Sequence, residues 1–149
     1  HKFYKNSLIK KLMYLRHHFI SCIILSLVLF PFFKYLSLLV FVFGFFIDVD
    51  HYLYDLAKTG NLDPISSYKR QMNENIEIKN QLHIFHTLEF IIPFLFLIII
   101  SKNTYLFILG MGLILHLILD LLYEVYYAIK KIKLNHTRAY SLIMWMMNN

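Results

Sequence analysis

At 149 residues the chain is long enough for one domain, and 58% of it is hydrophobic with a mean hydropathy of +0.55, above the roughly 45–50% apolar content of soluble domains. Its single cysteine, Cys22, excludes a disulfide framework and a thiolate metal cluster. The formal charge of +6 sits on Lys and Arg that flank apolar blocks instead of interleaving with stacking aromatics; this argues against a nucleic-acid partner and makes the charge a topology signal.

The basic start, with Lys2, Lys5, Lys10, Lys11 and Arg16, suits a helix entering from a negatively charged surface. No small-residue cleavage site follows, so it is read as a helix and not as a signal peptide. A first helix is expected over 19–30, ending at Pro31, which cannot continue the hydrogen-bond ladder. A turn through Lys34 leads to a second helix over 35–57. Gly60, Asn61 and Asp63-Pro64 then open a polar connection over 59–81, expected to be partly helical and to lie over the polar ends of the helices. Asp55 is read as pairing with Lys58 or Lys79 in place of ligating anything. A third helix follows over 82–100 with Pro93 inside it, then a turn at Ser101-Lys102-Asn103. The fourth helix, over 104–129, carries Gly110 and Gly112, which would let a neighbour approach closely. The apolar end, Tyr140 to Met147, is too short to span and reads as an interfacial helix.

The expected fold is therefore all-α, a single four-helix transmembrane bundle with short cytoplasmic helical extensions. Of the 15 Lys and Arg, all but Lys34 and Lys102 lie on the side holding both termini and the connection. The positive-inside rule makes that side cytoplasmic.

The organising stretch is Phe41 to Asp55, FVFGFFIDVDHYLYD, where an apolar helix runs into Asp48, Asp50 and His51. At a rise of about 1.5 Å per residue, measured from the two tight turns, His17 and His18, Asp48 to His51, His83 and His86, and His116 and Asp120 all come about 20–28 Å above one plane. That is one layer near the cytoplasmic edge of a hydrocarbon core about 30 Å thick. His116 and Asp120 are spaced i,i+4, with Glu124 continuing the stripe; His83 and His86 are i,i+3, with Glu89 a turn further; Asp48 and His51 are i,i+3. Each helix can thus direct two groups at one centre. Carboxylates and imidazoles at the end of a span are costly unless compensated, and a divalent cation compensates both. The candidate ligands are His17 or His18, Asp48, Asp50, His51, His83, His86, His116 and Asp120. Zinc suits them best, as one ion or two, and the carboxylates keep manganese open. The alternative is a buried hydrogen-bond network that only fixes helix packing.

In these ordered motifs the chain resembles the membrane-bound metal-dependent hydrolases, also described as LexA-binding, inner-membrane-associated hydrolases. The motifs are a His in the first helix, Asp-x-Asp-His at the end of the second (Asp48, Asp50, His51), His86-Thr87 opening the third, and His-x-x-x-Asp in the fourth (His116, Asp120). They cover roughly Arg16 to Glu124. Where family members often carry an Arg-Gly pair in the third motif, this chain reads His83-Ile84-Phe85-His86-Thr87. The resemblance implies a helical metal centre and hydrolysis of a phosphoester or related bond in a lipid-type substrate. Water activated by the cation would be the nucleophile, with Glu89 or a non-ligating Asp such as Asp50 as general base. Membrane lipid, a larger membrane complex or a second copy are the partners in view. Two other classes are weighed: a di-iron membrane oxidoreductase, disfavoured by the lack of HxxxH and HxxHH boxes, and a non-catalytic metal- or haem-binding subunit, for which His86 and His116 would face a haem.

Overall fold

The structure, a computed structural model, describes residues 15–71, 78–130 and 136–148. The basic entry segment before Leu15, residues 72–77 of the connection with Glu74 and Glu77, and Lys131 and Lys133 lie outside the described residues. The described chain is helical apart from two short strands.

Helix α1, Leu15–Phe33, begins before Phe19 and runs through Pro31. A proline in the last turn removes only one late hydrogen bond, and the chain reverses just beyond it at Lys34, whose φ of 49° is left-handed. The returning segment is not one helix but three pieces: a 3-10 turn over Lys34–Leu39, α2 over Val40–Gly44, and, after a second 3-10 turn over Phe46–Asp48, α3 over Val49–Thr59. The interruption falls at Phe45, with φ −129° and ψ −50°. This segment packs back against α1: Ser26 Oγ donates to Ser37 O at 3.1 Å, and the Phe19 ring meets Phe41 and Phe45 edge-on. Gly60, φ 70°, closes α3 with a left-handed cap.

In the connection, α4 covers Pro64–Gln71, with the Asp63 carboxylate accepting from Ile65 N and Ser66 N, so that Pro64 takes the first helical position. Arg70 Nε lies 3.5 Å from Asp55 Oδ1, a partner the sequence did not suggest; the side chain of Lys79 lies outside the described residues. Strand β1, Ile78–Gln81, pairs in parallel with β2, His136–Arg138, a pairing that no sequence pattern announces. The third helix is also shorter than expected. His83 is extended, Ile84–His86 is a 3-10 turn, and α5 begins only at Leu88, ending at Ser101. Asn103 caps α6, Thr104–Ile129, by accepting from Tyr105 N and Leu106 N. A last helix, α7, covers Leu142–Asn148.

The core is small: Cys22, Leu29, Val40 and Ile108, with Leu25, Phe41 and Leu115 against it. Its closest approach is between α2 and α6. A side chain at Gly112 would run into the backbone of Val40 and Gly44, and one at Gly44 into Cys22 Sγ. The expected role of Gly112 is thus met by a backbone crossing, which fixes where His116, one turn further on, stands.

Candidate metal centre

The elements deliver His18 from α1, Asp48 from the 3-10 turn before α3, Asp50 and His51 from the first turn of α3, His83 and His86 from the irregular segment before α5, and His116 and Asp120 from α6. All eight come together. Three groups have ligand atoms within 4.8 Å of one another: Asp48, His86 and His116; Asp50, His51 and His83; and His18, His116 and Asp120, which shares His116 with the first.

The first group is the most constrained. His86 Nδ1 lies 3.0 Å from Asp50 Oδ2, and His116 Nδ1 lies 3.2 Å from the carbonyl oxygen of Gly44. A carboxylate and a carbonyl only accept, so both Nδ1 atoms carry the proton. Each neutral ring is then left with a lone pair on Nε2, and the two Nε2 atoms face each other at 3.0 Å. Two lone pairs at that distance repel unless a proton or a metal ion lies between or beside them. Asp48 Oδ1 lies 3.4 Å from His116 Nε2 and 3.9 Å from His86 Nε2, and Asp120 Oδ2 lies 3.6 Å from both. Donors about 2.0–2.2 Å from a tetrahedral zinc stand roughly 3.3–3.6 Å apart, a spacing met by three of these five separations, with the two imidazoles closer and Asp48 to His86 wider. A divalent ion or a shared proton would satisfy the two nitrogens, and the two carboxylate oxygens would compensate either charge. The outer hydrogen bonds, carboxylate to His86 and carbonyl to His116, are those that orient metal-bound imidazoles.

The second group repeats the pattern. His83 Nε2 lies 3.0 Å from Gln81 Oε1 and donates to it, which leaves an unprotonated Nδ1 facing Asp50 Oδ1 at 3.8 Å. Both facing atoms are buried and have no hydrogen-bond partner, the condition a bound ion relieves. His51 stacks on His83 at 3.6 Å, and its Nε2 is 3.5 Å from Asp48 Oδ1, joining the two groups.

Asp50 is therefore both an orienter and a ligand candidate: Oδ2 takes His86 Nδ1–H and Phe85 N–H, the latter at 3.2 Å, while Oδ1 faces His83. Between His17 and His18, it is His18 that joins the layer, 5% exposed, stacked on His116 at 4.2 Å and 3.5 Å from Asp120 Oδ1. Glu89 does not. Its carboxylate accepts from Ser141 Oγ, Leu142 N and Ile143 N, capping α7, so the expected general base is committed to the tail.

Sequence reasoning missed Arg138, Gln81 and the Gly44 carbonyl. Arg138 bonds Asp120 Oδ2 at 2.5 Å and lies 3.1 Å from Glu124 Oε1. Burial alone would lower its pKa, but Asp120 and Glu124 outweigh burial and hold the guanidinium above its ordinary value. Comparison with protein-family models, with curated proteins and with solved structures returns no match.

Proposed function

We propose that the chain is a membrane-embedded, metal-dependent hydrolase acting on a phosphoester or related bond of a lipid-type substrate, its polar layer lying at the cytoplasmic interface of a four-helix transmembrane bundle. The observation that carries the metal is the facing pair of His86 and His116 Nε2 lone pairs at 3.0 Å, with Asp48 and Asp120 oxygens at ligand spacing.

Support for the membrane comes from what the helices leave uncovered. The run Leu15–Thr59 and helix α6 are each long and apolar enough to cross a membrane; α6 alone would be about 39 Å long, against about 30 Å of hydrocarbon. No residue of α5 is buried although its sequence is LEFIIPFLFLIIIS, and a helix apolar all round is stable only when surrounded by protein or lipid. The fold-back at Lys34 would let the first run cross twice, and the Lys and Arg asymmetry supports a cytoplasmic side for both termini.

His86, His116, Asp48 and Asp120 would hold the first ion, most readily zinc; Asp50, His51 and His83 would hold a second. Such an ion supplies Lewis acidity toward a phosphoryl oxygen and brings the pKa of a water toward 7. The chain itself holds His86 and His116 in the binding tautomer through Asp50 and Gly44. With one ion only, Asp50 Oδ1, buried and unpartnered, is the carboxylate left to accept a proton. The haem alternative needs an apolar slot between His86 and His116, and two carboxylates stand there instead.

Elemental analysis of protein purified metal-replete in detergent tests the centre, two equivalents or one deciding the role of Asp50. Turnover of a lipid phosphoester that is lost on chelation and restored by zinc or manganese tests the activity. A wild type without metal refutes the proposal; a loaded protein inert across a broad phosphoester panel leaves a metal-binding membrane subunit.

A further inference from the structure

A phosphoester is an anion and the layer is rich in carboxylates, so binding such a substrate calls for a cationic group besides the ion. Arg138 brings one to the edge of the layer. Its Nη1 bonds Asp120 Oδ2, and its Nη2 lies 3.1 Å from Glu124 Oε1. Asp120 Oδ2 is in turn 3.6 Å from both His86 Nε2 and His116 Nε2, so one carboxylate oxygen separates the guanidinium from the place proposed for the first ion. The side chain is 16% exposed and lies over the Tyr140 ring at 5.5 Å. The tail fixes it there, pinned across the entry to α5: Ala139 N donates to Gln81 O at 2.8 Å and Leu88 N to Tyr140 O at 2.9 Å. A guanidinium has five N–H donors, and the two carboxylates do not use them all; Nε is buried without a hydrogen-bond partner.

We infer that Arg138 recognises the phosphoryl group of the substrate, so that the site takes an anionic phosphoester in preference to a neutral carboxylic ester. The inference rests on the hydrolase reading and names the substrate class within it. A phosphoryl group carries several oxygens, spaced much like those of a carboxylate; with one of them toward the ion, a second comes within reach of the guanidinium beside Asp120. The planar fork matches such oxygens, and its hydrogen bonds to them are charge-assisted. Glu124, which also accepts from the Tyr140 hydroxyl at 3.0 Å, holds the fork from the far side, so its orientation is set before an anion arrives. A carboxylic ester brings no anionic oxygen and forfeits this contact.

The test is the affinity for inorganic phosphate, measured by titration calorimetry on zinc-loaded, full-length protein in detergent, with zinc per chain determined on the same samples. Arg138→Gln should keep the wild-type zinc content while its phosphate affinity falls about 10–100-fold, the loss expected for a hydrogen bond between charged groups. Arg138→Lys, which keeps the charge but not the fork, should fall between the two. Equal phosphate affinity in the wild type and Arg138→Gln overturns the inference and leaves the hydrolase reading standing, as does a zinc-loaded wild type that binds no phosphate. Loss of zinc together with phosphate in Arg138→Gln marks a purely structural role and overturns it as well. A wild type without zinc refutes the proposed function, and the inference falls with it. Should Arg138→Gln not be recovered folded, Arg138→Lys carries the same comparison: a severalfold weaker phosphate affinity at full zinc content supports the inference, and a wild-type affinity overturns it.

Discussion

A methyl group added at Gly112 tests the link between helix crossing and metal site. Its Cβ would fall well inside contact distance of Val40 O and 3.1 Å from Gly44 N. Both are backbone atoms, so relief requires α2 and α6 to separate, by roughly 1 Å to restore ordinary contact. The His116 Nδ1 to Gly44 O bond is already 3.2 Å and would not survive that shift. Overpacking costs about 1–3 kcal/mol and the lost bond about 0.5–1.5 kcal/mol, so Gly112→Ala should destabilise by about 2–4 kcal/mol. That corresponds to roughly 5–15 °C in Tm for a chain of this size. Loss of the orienting bond should also weaken metal binding about 10–100-fold. The control lies two residues away: at Gly110 the new Cβ would meet only the side-chain end of Ile98, which can rotate aside, so Gly110→Ala should lose little of either. Unfolding is read in detergent with a thiol-reactive dye, since Cys22 is the only cysteine and is fully buried; metal affinity is read by chelator competition. Equal melting and equal affinity for the two variants would refute the coupling.

His86→Ala, His116→Ala and Asp120→Ala should each lose most bound metal together with folded yield, because an unpaired buried carboxylate or imidazole then remains, whereas His17→Ala should keep full occupancy by elemental analysis. Glu89→Gln should leave bound metal unchanged but loosen the tail; limited trypsinolysis after Arg138 should accelerate severalfold, and loss of metal instead would return Glu89 to the centre. For orientation, a cysteine at Lys102, in the Cys22→Ala background, should react with an impermeant maleimide from outside the cell and one at Asn61 should not; the opposite pattern would invert the topology.

Much of the layer was legible because ionisable residues in an apolar chain are few, and helix rise alone brings His18, Asp48 to His51, His86 and His116 to one height. The helices were less legible, and for a physical reason. Apolar content marks a segment as fit for lipid but does not show where its backbone leaves the helical path. The break at Phe45 and the non-helical stretch His83 to Thr87 lie inside runs that read as continuous. Arg138 was hidden differently. By composition it is one more basic residue in a basic tail, and only the β1–β2 pairing carries it to Asp120 and Glu124. Glu89 shows the opposite error, since its spacing from His86 suggested the centre while its carboxylate serves the N–H groups of α7.

Those two breaks are where the orienting groups come from. The turned backbone at Phe45 presents the Gly44 carbonyl to His116, and the irregular run before α5 presents Phe85 N and His86 Nδ1 to Asp50. In hydrocarbon, non-helical backbone is tolerated only where protein or a polar cavity receives its unpaired groups. Here the Gly44 carbonyl and the Phe85 N–H are received by side chains of the layer, and His86 and His116 so held keep their free lone pairs turned inward. A regular helix through either segment would satisfy its own backbone and leave His116 or His86 without a fixed tautomer. The irregularity of the second and third helices and the convergence of the candidate ligands are therefore one design, which the proposed cation between His86 and His116 would complete.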